Sequence, residues 1–489
     1  MQIKSSLLVF KCSIQQRQKY LKKIKNNEVI KMKRNNFCQT DKLLHQRVKD
    51  LSKSSQKEYN YVFDDIYHLT GRTPTELVKI GLQEQDPYAT NEKGEKTYEY
   101  LPFRTITSIH EEYEEYLRKN INIKESTIKG RLLYFRSLFN KHRIELPDMP
   151  RFHIKKPRTR LKELPLDSEL KLAIELSTEP VQPLLFLTPR VTGLRLSDIE
   201  TFTYNTVLEA TKLYHDGTLE DLLNKNPYEI IPRFELDPVK TKKQGNLCIT
   251  FATPEWTYYF FRYTKWRQRK YEEAVNELER LKHDVRAKNK YRKKRIEKRI
   301  QKLKITPESP LFISNLSRVT GLTRGSMGRL FYDMNEKLMY ELGSDYNYKN
   351  EDNNYGRFRA HNLRKLFSTT CRVNMVKINV ENRNDKFREL DIVSLFTGHA
   401  PPNMSNSEVY DAVEEDSFDS ELRQVYTALV PYNTIYREQY DLEQERQRAL
   451  ELQKENERIK KDIDSAVNKK ISEVFQEYNV EEILKKHGL

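Results

Sequence analysis

Residues 147 to 160 read Pro-Asp-Met-Pro-Arg-Phe-His-Ile-Lys-Lys-Pro-Arg-Thr-Arg. Pro147, Pro150 and Pro157 disfavour a helix and hold the residues before them extended. With Lys155, Lys156, Arg158 and Arg160 they make an extended, positively charged connector over 151–163 that joins two lobes. Such a segment either tracks a polyanion or simply links. At 489 residues the chain is in any case long for a single core, and two or three domains are expected.

Before the connector, residues 1–55 are rich in Lys, Asn and Gln, with runs such as Lys22-Lys23-Ile-Lys25 and Lys31-Met-Lys33-Arg34. They read as a basic arm that grips phosphates or as a solvated leader. Over 56–150 the pattern turns helical: Val62, Ile66 and Leu69, then Leu77 and Ile80, then Tyr113, Tyr116 and Leu117 fall largely at three- and four-residue steps. Ser126 to Phe139 adds an amphipathic helix with Ser126 or Thr127 as N-cap. Its Lys129, Arg131 and Arg136 alternate with Tyr134 and Phe135, a face suited to a DNA backbone or, as aromatic residues at helical spacing often are, to a core.

The net charge of +16, with 32% charged residues, points to a polyanionic partner, foremost nucleic acid. Cys12, Cys38, Cys248 and Cys371 have no CxxC or CxxH spacing, which argues against a zinc site or a disulfide scaffold. No metal and no cofactor are therefore expected. Leu7-Leu-Val-Phe10 is too short for a membrane span or a signal-peptide core, so a soluble protein without a membrane partner is expected, in the cytoplasm or host-cell cytoplasm and nucleoid-associated.

After the connector a second domain runs over 164–432. The apolar run Leu184 to Leu187 leads to Thr-Gly193-Leu-Arg195-Leu-Ser197-Asp198, in which Gly193 marks a turn and Ser197 and Asp198 fall in or near a first helical turn. An arginine there can meet an anion beside backbone N–H groups. By itself the string is weak, as the near-copy Arg318-Val-Thr-Gly-Leu-Thr-Arg324 shows. Alternation around Leu247, Ile249 and Phe251 predicts a β-hairpin turning at Gln244-Gly-Asn, with Lys240, Lys242 and Lys243 on its approach. Residues 268–304 read as a charged helical hairpin inserted into the domain, with Ala274, Leu278, Leu281 and Val285 as its stripe. Leu311-Phe-Ile reads as a short strand and Met327–Leu338 as a helix. His361-Asn-Leu-Arg364, then Thr-Gly-His399, then Glu-Val-Tyr410 follow. The tail over 433–489 is a charged helix: Leu442, Ala449, Asn456 and Ile463 share one heptad position and Leu452, Ile459 and Ala466 another. This is a coiled coil or an amphipathic helix packed on its own domain.

Arg195, Lys240, His361, Arg364, His399 and Tyr410, in that order and behind a helical domain and a basic linker, resemble the catalytic set of the tyrosine recombinases, the phage-integrase family of DNA-breaking and rejoining enzymes. The likeness spans roughly 58–430. Two departures stand out: the stretch from His399 to Tyr410 is slightly long, and the 268–304 segment is not a common family feature. The resemblance implies a mainly α fold with a small β-sheet: a helical, SAM-like core-binding domain and a catalytic domain closing as a two-lobed, C-shaped clamp on double-stranded DNA.

The chemistry accounts for the residue types. Arg195 and Arg364 would clamp the non-bridging phosphate oxygens, for which a planar, permanently charged fork suits better than lysine. Tyr410 would attack to give a 3′-phosphotyrosyl ester. Its phenol ionises only near about pH 10, so His361 would manage its proton while His399 bonds the phosphate. Lys240, or else Lys242 or Lys243, would protonate the leaving 5′-hydroxyl. Asp198 would hold the arginine-bearing helix. Lys129, Arg131, Lys155, Lys156, Arg158 and Arg160 are candidate DNA contacts. Tyr426 and Tyr432 are alternative nucleophiles. The resemblance further implies a homotetramer on synapsed sites, with accessory DNA-bending proteins, for integration or excision of a mobile element. A hairpin telomere resolvase or an inactive DNA-binding protein of the same fold are the competing readings.

Overall fold

The computed structural model describes residues 35–85, 105–119, 123–154, 163–240, 246–283, 290–313, 321–343, 346, 356–377, 392–399, 416–477 and 486. The basic arm, the connector from Lys155 through Arg160, the hairpin tip with Lys242 and Lys243, and the segment bearing Tyr410 lie outside them. The chain divides into two compact units, Met1–Arg158 and Thr159–Leu489.

The first unit is all helical: α1 (Phe37–Thr40), α2 (Lys42–Val48), α3 (Lys53–Thr70), α4 (Pro74–Gln85), α5 (Thr105–Lys119) and α6 (Glu125–Lys141). Val62, Phe63, Ile66, Leu77, Tyr113, Leu117, Phe135 and Phe139 form one buried cluster. Asp41 ties two helix starts together, since its carboxylate accepts from Leu44 N (2.9 Å) and from Thr75 N (2.9 Å). Helix α3 stops at Gly71, whose φ of 70° only glycine adopts without strain. Helix α6 starts at Glu125, one residue before the expected cap. Its Glu125 carboxylate, placed in the first turn, holds Arg118 (3.0 Å) and His153 N (3.1 Å). Phe135 is core, and Tyr134 lies edge-on to Tyr59.

The second unit contains α7 (Asp167–Glu175), α8 (Val181–Thr192), α9 (Leu196–Ile199), α10 (Tyr204–Ala210), α11 (Leu219–Leu223), α12 (Pro254–His283), α13 (Lys290–Leu303), α14 (Arg324–Leu342), α15 (Ala360–Lys377), α16 (Ile392–Phe396), α17 (Asp416–Asn433) and α18 (Arg437–Glu477). Helix α8 is mostly apolar and every residue of it is buried, with its Arg190 paired to Asp167 (3.2 Å) and Asn433 (2.8 Å). Its Thr188 hydroxyl bonds back to Leu184 O (2.7 Å) and accepts from Trp256 Nε1 (2.9 Å). Around it lie β1 (Arg233–Leu236) and β2 (Cys248–Phe251), an antiparallel pair in register Arg233 to Phe251 and Leu236 to Cys248. The described residues are thus mostly helical with one small sheet. The expected alternation on β2 is absent: all four residues are buried, because the strand is covered on both faces.

One expectation is corrected. Leu311-Phe-Ile is not a strand. Leu311 N bonds Phe202 O (2.8 Å) and Leu322 N bonds Phe312 O (2.8 Å), but beyond an isolated bridge at Pro310 the segment has no ladder to join. The charged helical hairpin is present, and its first helix reaches back into the core. Helix α12 begins at Pro254, with Trp256, Phe260 and Tyr263 in the core, and continues unbroken into the charged stretch. It is joined to α13 by Glu277 with Arg292 (3.1 Å) and Arg299 (3.7 Å). At the point where it leaves the core, Arg267 is buried and donates to the carbonyls of Lys302, Leu303, Lys304 and Pro310 at 2.8–3.1 Å, capping α13.

Candidate active site

Helix α8 ends where the site begins. Gly193 has φ 68°, and a Cβ there would lie 2.4 Å from Phe367 Cδ1 and 3.1 Å from Thr397 Cγ2. Only glycine satisfies both the left-handed turn and this close approach of α15 and the end of α16. The turn delivers Arg195 as the extended residue before α9. Asp198, in the first turn of α9, reaches back to Arg195 N (3.3 Å) and stands 3.9 Å from Arg195 Nη1.

Arg364, from α15, is buried and donates to Gly193 O (2.5 Å) and Thr397 O (2.7 Å). Its guanidinium is pushed down to about 10 by burial first and then by Arg195, with Cys248 and Asp198 acting the other way, so it stays cationic at neutral pH.

His399 sits on top of these two cations with an exposed side. Arg195 Nη2 lies 2.9 Å from its Nε2, and Arg364 Nη2 lies 3.3 Å from Nε2 and 3.4 Å from Nδ1. Thr397 Oγ1 is 2.9 Å from Nδ1 and itself donates to Val393 O (2.7 Å). The hydrogen-bond roles assign the tautomer. A guanidinium only donates, so Nε2 is an acceptor; Thr397 Oγ1 has given its proton to Val393, so Nδ1 carries the hydrogen. A lone pair therefore lies where two arginine forks converge, the position an anionic oxygen would take. Among the described residues, Arg195 Nη1 is buried and has no hydrogen-bond partner.

The hairpin joins the same cluster through Asp198, whose Oδ1 accepts from Val239 N (3.0 Å). Gly398, at φ 60°, packs so closely that a Cβ would lie 2.6 Å from Pro238 Cγ and 3.1 Å from Cys248 Cβ. Lys240 follows directly after this anchored backbone and is exposed. Cys248 is fully buried, gives its thiol hydrogen to Phe396 O (3.4 Å), and is held up at about 12 by burial.

His361 lies one turn before Arg364 and keeps an exposed edge. Its imidazole is pushed down to about 4, first by loss of solvent on the protein side and then by Lys365, Arg359, Arg364 and Arg195. It is neutral at physiological pH and able to accept a proton.

The structure thus gathers Arg195, Asp198, Arg364, His399 and the backbone beside Lys240, with His361 in the field of both arginines. Tyr410 lies outside the described residues. Of its two alternatives, Tyr426 is fully buried, donates its phenol to Val191 O (2.7 Å) and stacks on Phe251, so it is a core residue and not a nucleophile. Tyr432 gives its carbonyl to Arg190 (3.3 Å) and its ring to Lys377. Lys129 is exposed on α6, whereas Arg131 is ion-paired to Asp65 (3.0 Å) within the first unit. Sequence reasoning missed Thr397, which fixes the His399 tautomer; its place in Thr-Gly-His was the available signal. A surface cleft at Leu176, Asp333, Glu336, Lys337, Tyr340 and Glu341 shares no residue with this cluster, and its three carboxylates make it unsuited to an anion.

No protein-family model matches the chain, and no curated protein does. Among solved structures, similarity is found to the XerA recombinase, at 14% identity and a TM-score of 0.25 over 80% of this chain and 98% of that one. It is also found to the Tn1549 transposon integrase, solved with transposon right end DNA, at 13% identity and a TM-score of 0.36 over 80% and 98%. The chain is similar to two tyrosine recombinases. Identity this low leaves reaction and substrate to be argued from the side chains. Among the described residues, no helix is long and apolar enough to cross a membrane.

Proposed function

We propose that this protein cleaves and rejoins duplex DNA as a tyrosine-type strand transferase. The observation that carries the reading is the convergence of Arg195 and Arg364 on the acceptor nitrogen of His399. Two guanidinium groups brought that close repel each other, and a phosphodiester with two non-bridging oxygens relieves the repulsion. The transition state spreads more negative charge over those oxygens and gains more than the ground state does.

In this reading the Tyr410 oxygen attacks phosphorus and the bond to the 5′ oxygen breaks. The phenol proton passes to neutral His361, and the 5′ oxygen takes a proton from Lys240, whose loop Asp198 holds beside Arg195. Rejoining runs the same steps backwards and needs no external energy, since the phosphotyrosyl ester keeps the bond. Lys242 and Lys243 remain alternatives to Lys240. The helical first unit would serve as the core-binding half of a clamp, the enzyme acting as a tetramer with accessory DNA-bending proteins to integrate or excise a mobile element in the cytoplasm.

The test is a nicked duplex carrying the DNA that flanks this coding sequence. Cleavage should trap a covalent protein–DNA adduct, and Tyr410→Phe should abolish the adduct while leaving DNA retention in a gel unchanged. An adduct that survives in Tyr410→Phe removes Tyr410 as nucleophile. Hairpin-ended products would turn the reading to a telomere resolvase, and binding without any adduct to an inactive DNA-binding protein.

A further inference from the structure

Helix α18 is rooted and then abandoned by the rest of the unit. Its approach is fixed by the buried Glu255 carboxylate, which accepts from Ile435 N (3.0 Å) and Tyr436 N (2.9 Å), and Tyr440 still packs on the core. From Glu445 to Ile471 every residue of described exposure is exposed. The helix is 41 residues long, roughly 60 Å. Packing on its own domain, one of the two expectations for this segment, is thereby excluded for that stretch.

The exposed stretch carries a seam. Ala449, Leu452, Asn456, Ile459, Ile463 and Ala466 alternate at three- and four-residue steps, and Leu452, Ile459 and Ile463 are 48–60% exposed. A helix with such a stripe and no cover among the described residues needs a second helix, and this spacing is that of a coiled coil.

We infer that α18 pairs with α18 of a second copy of this chain as a parallel, in-register coiled coil. Two features of the sequence select that partner. Asn456 occupies an a position, and its amide is satisfied inside a seam only by another amide at the same level, which an in-register parallel pair supplies. In an antiparallel pair a faces d, and Asn456 would be buried against Leu452 or Ile459 of the other copy. The flanking charges agree. With 449, 456 and 463 at a, Glu455 at g faces Lys460 at e of the second copy, Arg448 faces Gln453, and Asp462 faces Val467. None of these three flanking pairs is like-charged. The inference does not rest on the reading of the active site, and it gives a self-association that needs no DNA.

Sedimentation velocity on the full chain without DNA tests it. A dimer is expected at low micromolar protein. Ile459→Asp combined with Ile463→Asp should weaken dimerisation by at least roughly tenfold, without changing the main melting transition, because neither side chain touches the core. Lys460→Glu should weaken it, and Glu455→Lys added to Lys460→Glu should restore it by exchanging the two ends of the pair. A wild-type chain that stays monomeric, or a dimer indifferent to the double aspartate change, overturns the inference. A charge swap that fails to restore association overturns the parallel register.

Discussion

Arginines in the Thr159–Leu489 unit are held in two opposite ways. Arg267 gives its donors to three backbone carbonyls at the end of α13 and to that of Pro310, lies over the ring of Tyr204 and is 1% exposed. Arg195 and Arg364 converge on one histidine, and a donor of Arg195 has no hydrogen-bond partner among the described residues. Burial of a guanidinium therefore says little about function. What separates the two cases is whether its donors are matched within the fold or turned, with a second cation, toward a place an anion can enter.

The same substitution made at both places should give opposite readouts. Arg267→Lys keeps the charge but serves one or two carbonyls where the fork served four, and each buried carbonyl left without its donor costs about 1–3 kcal/mol. A loss of about 4 kcal/mol of unfolding free energy is expected in chemical denaturation, the largest effect foreseen here. Arg195→Lys should leave stability within about 1 kcal/mol, because its contacts are a part-exposed histidine and a loose ion pair. Adduct formation should instead fall by roughly 10²–10³, about 3 kcal/mol of transition-state stabilisation. If Arg195→Lys unfolds the protein and Arg267→Lys only slows it, the distinction between the two sets is wrong.

That distinction was not legible in the sequence. Arg267 stands in Lys-Trp-Arg-Gln-Arg-Lys and reads as one more surface cation at the foot of a charged helix. Its role depends on where α13 ends, some 36 residues further on. The start of the helix was hidden for the same reason: composition changes at residue 268, where α12 leaves the core, but the backbone does not. Thr-Gly-Leu-Arg and Thr-Gly-His could be read because glycines with positive φ and polar side chains beside them are local features, and each of these turns carries one cation or imidazole. Leu311-Phe-Ile failed as a strand because strand formation needs a neighbour, and Leu-Phe-Ile carries no record of whether one is present. The fit of Thr397 to His399 is a matter of tautomer and lies below what residue type can express.

The smallest effect reads the surroundings of His361, where loss of solvent acts first and the neighbouring cations second. His361 faces the positive side of the cluster, and its imidazole is held at about 4 where an ordinary histidine titrates at 6.5. The folded state therefore releases a proton that the unfolded chain keeps. Its contribution is nil above pH 6.5, and stability declines as pH falls from 6.5 towards 4, by about 1 kcal/mol or less once solvent and salt screening of the exposed edge are allowed for. The acid limb of adduct formation should accordingly lie nearer pH 4 than pH 6.5, because His361 is already neutral across the physiological range and fit to take the phenol proton. Lys365→Gln removes the first of the four cations acting on the ring and should move that limb upward by a fraction of a pH unit. An NMR titration of the His361 ring should move with it. A limb that stays near pH 6.5 in the wild type would mean that the His361 ring is neither desolvated nor held in the field of these cations, and would remove it as the acceptor of the phenol proton.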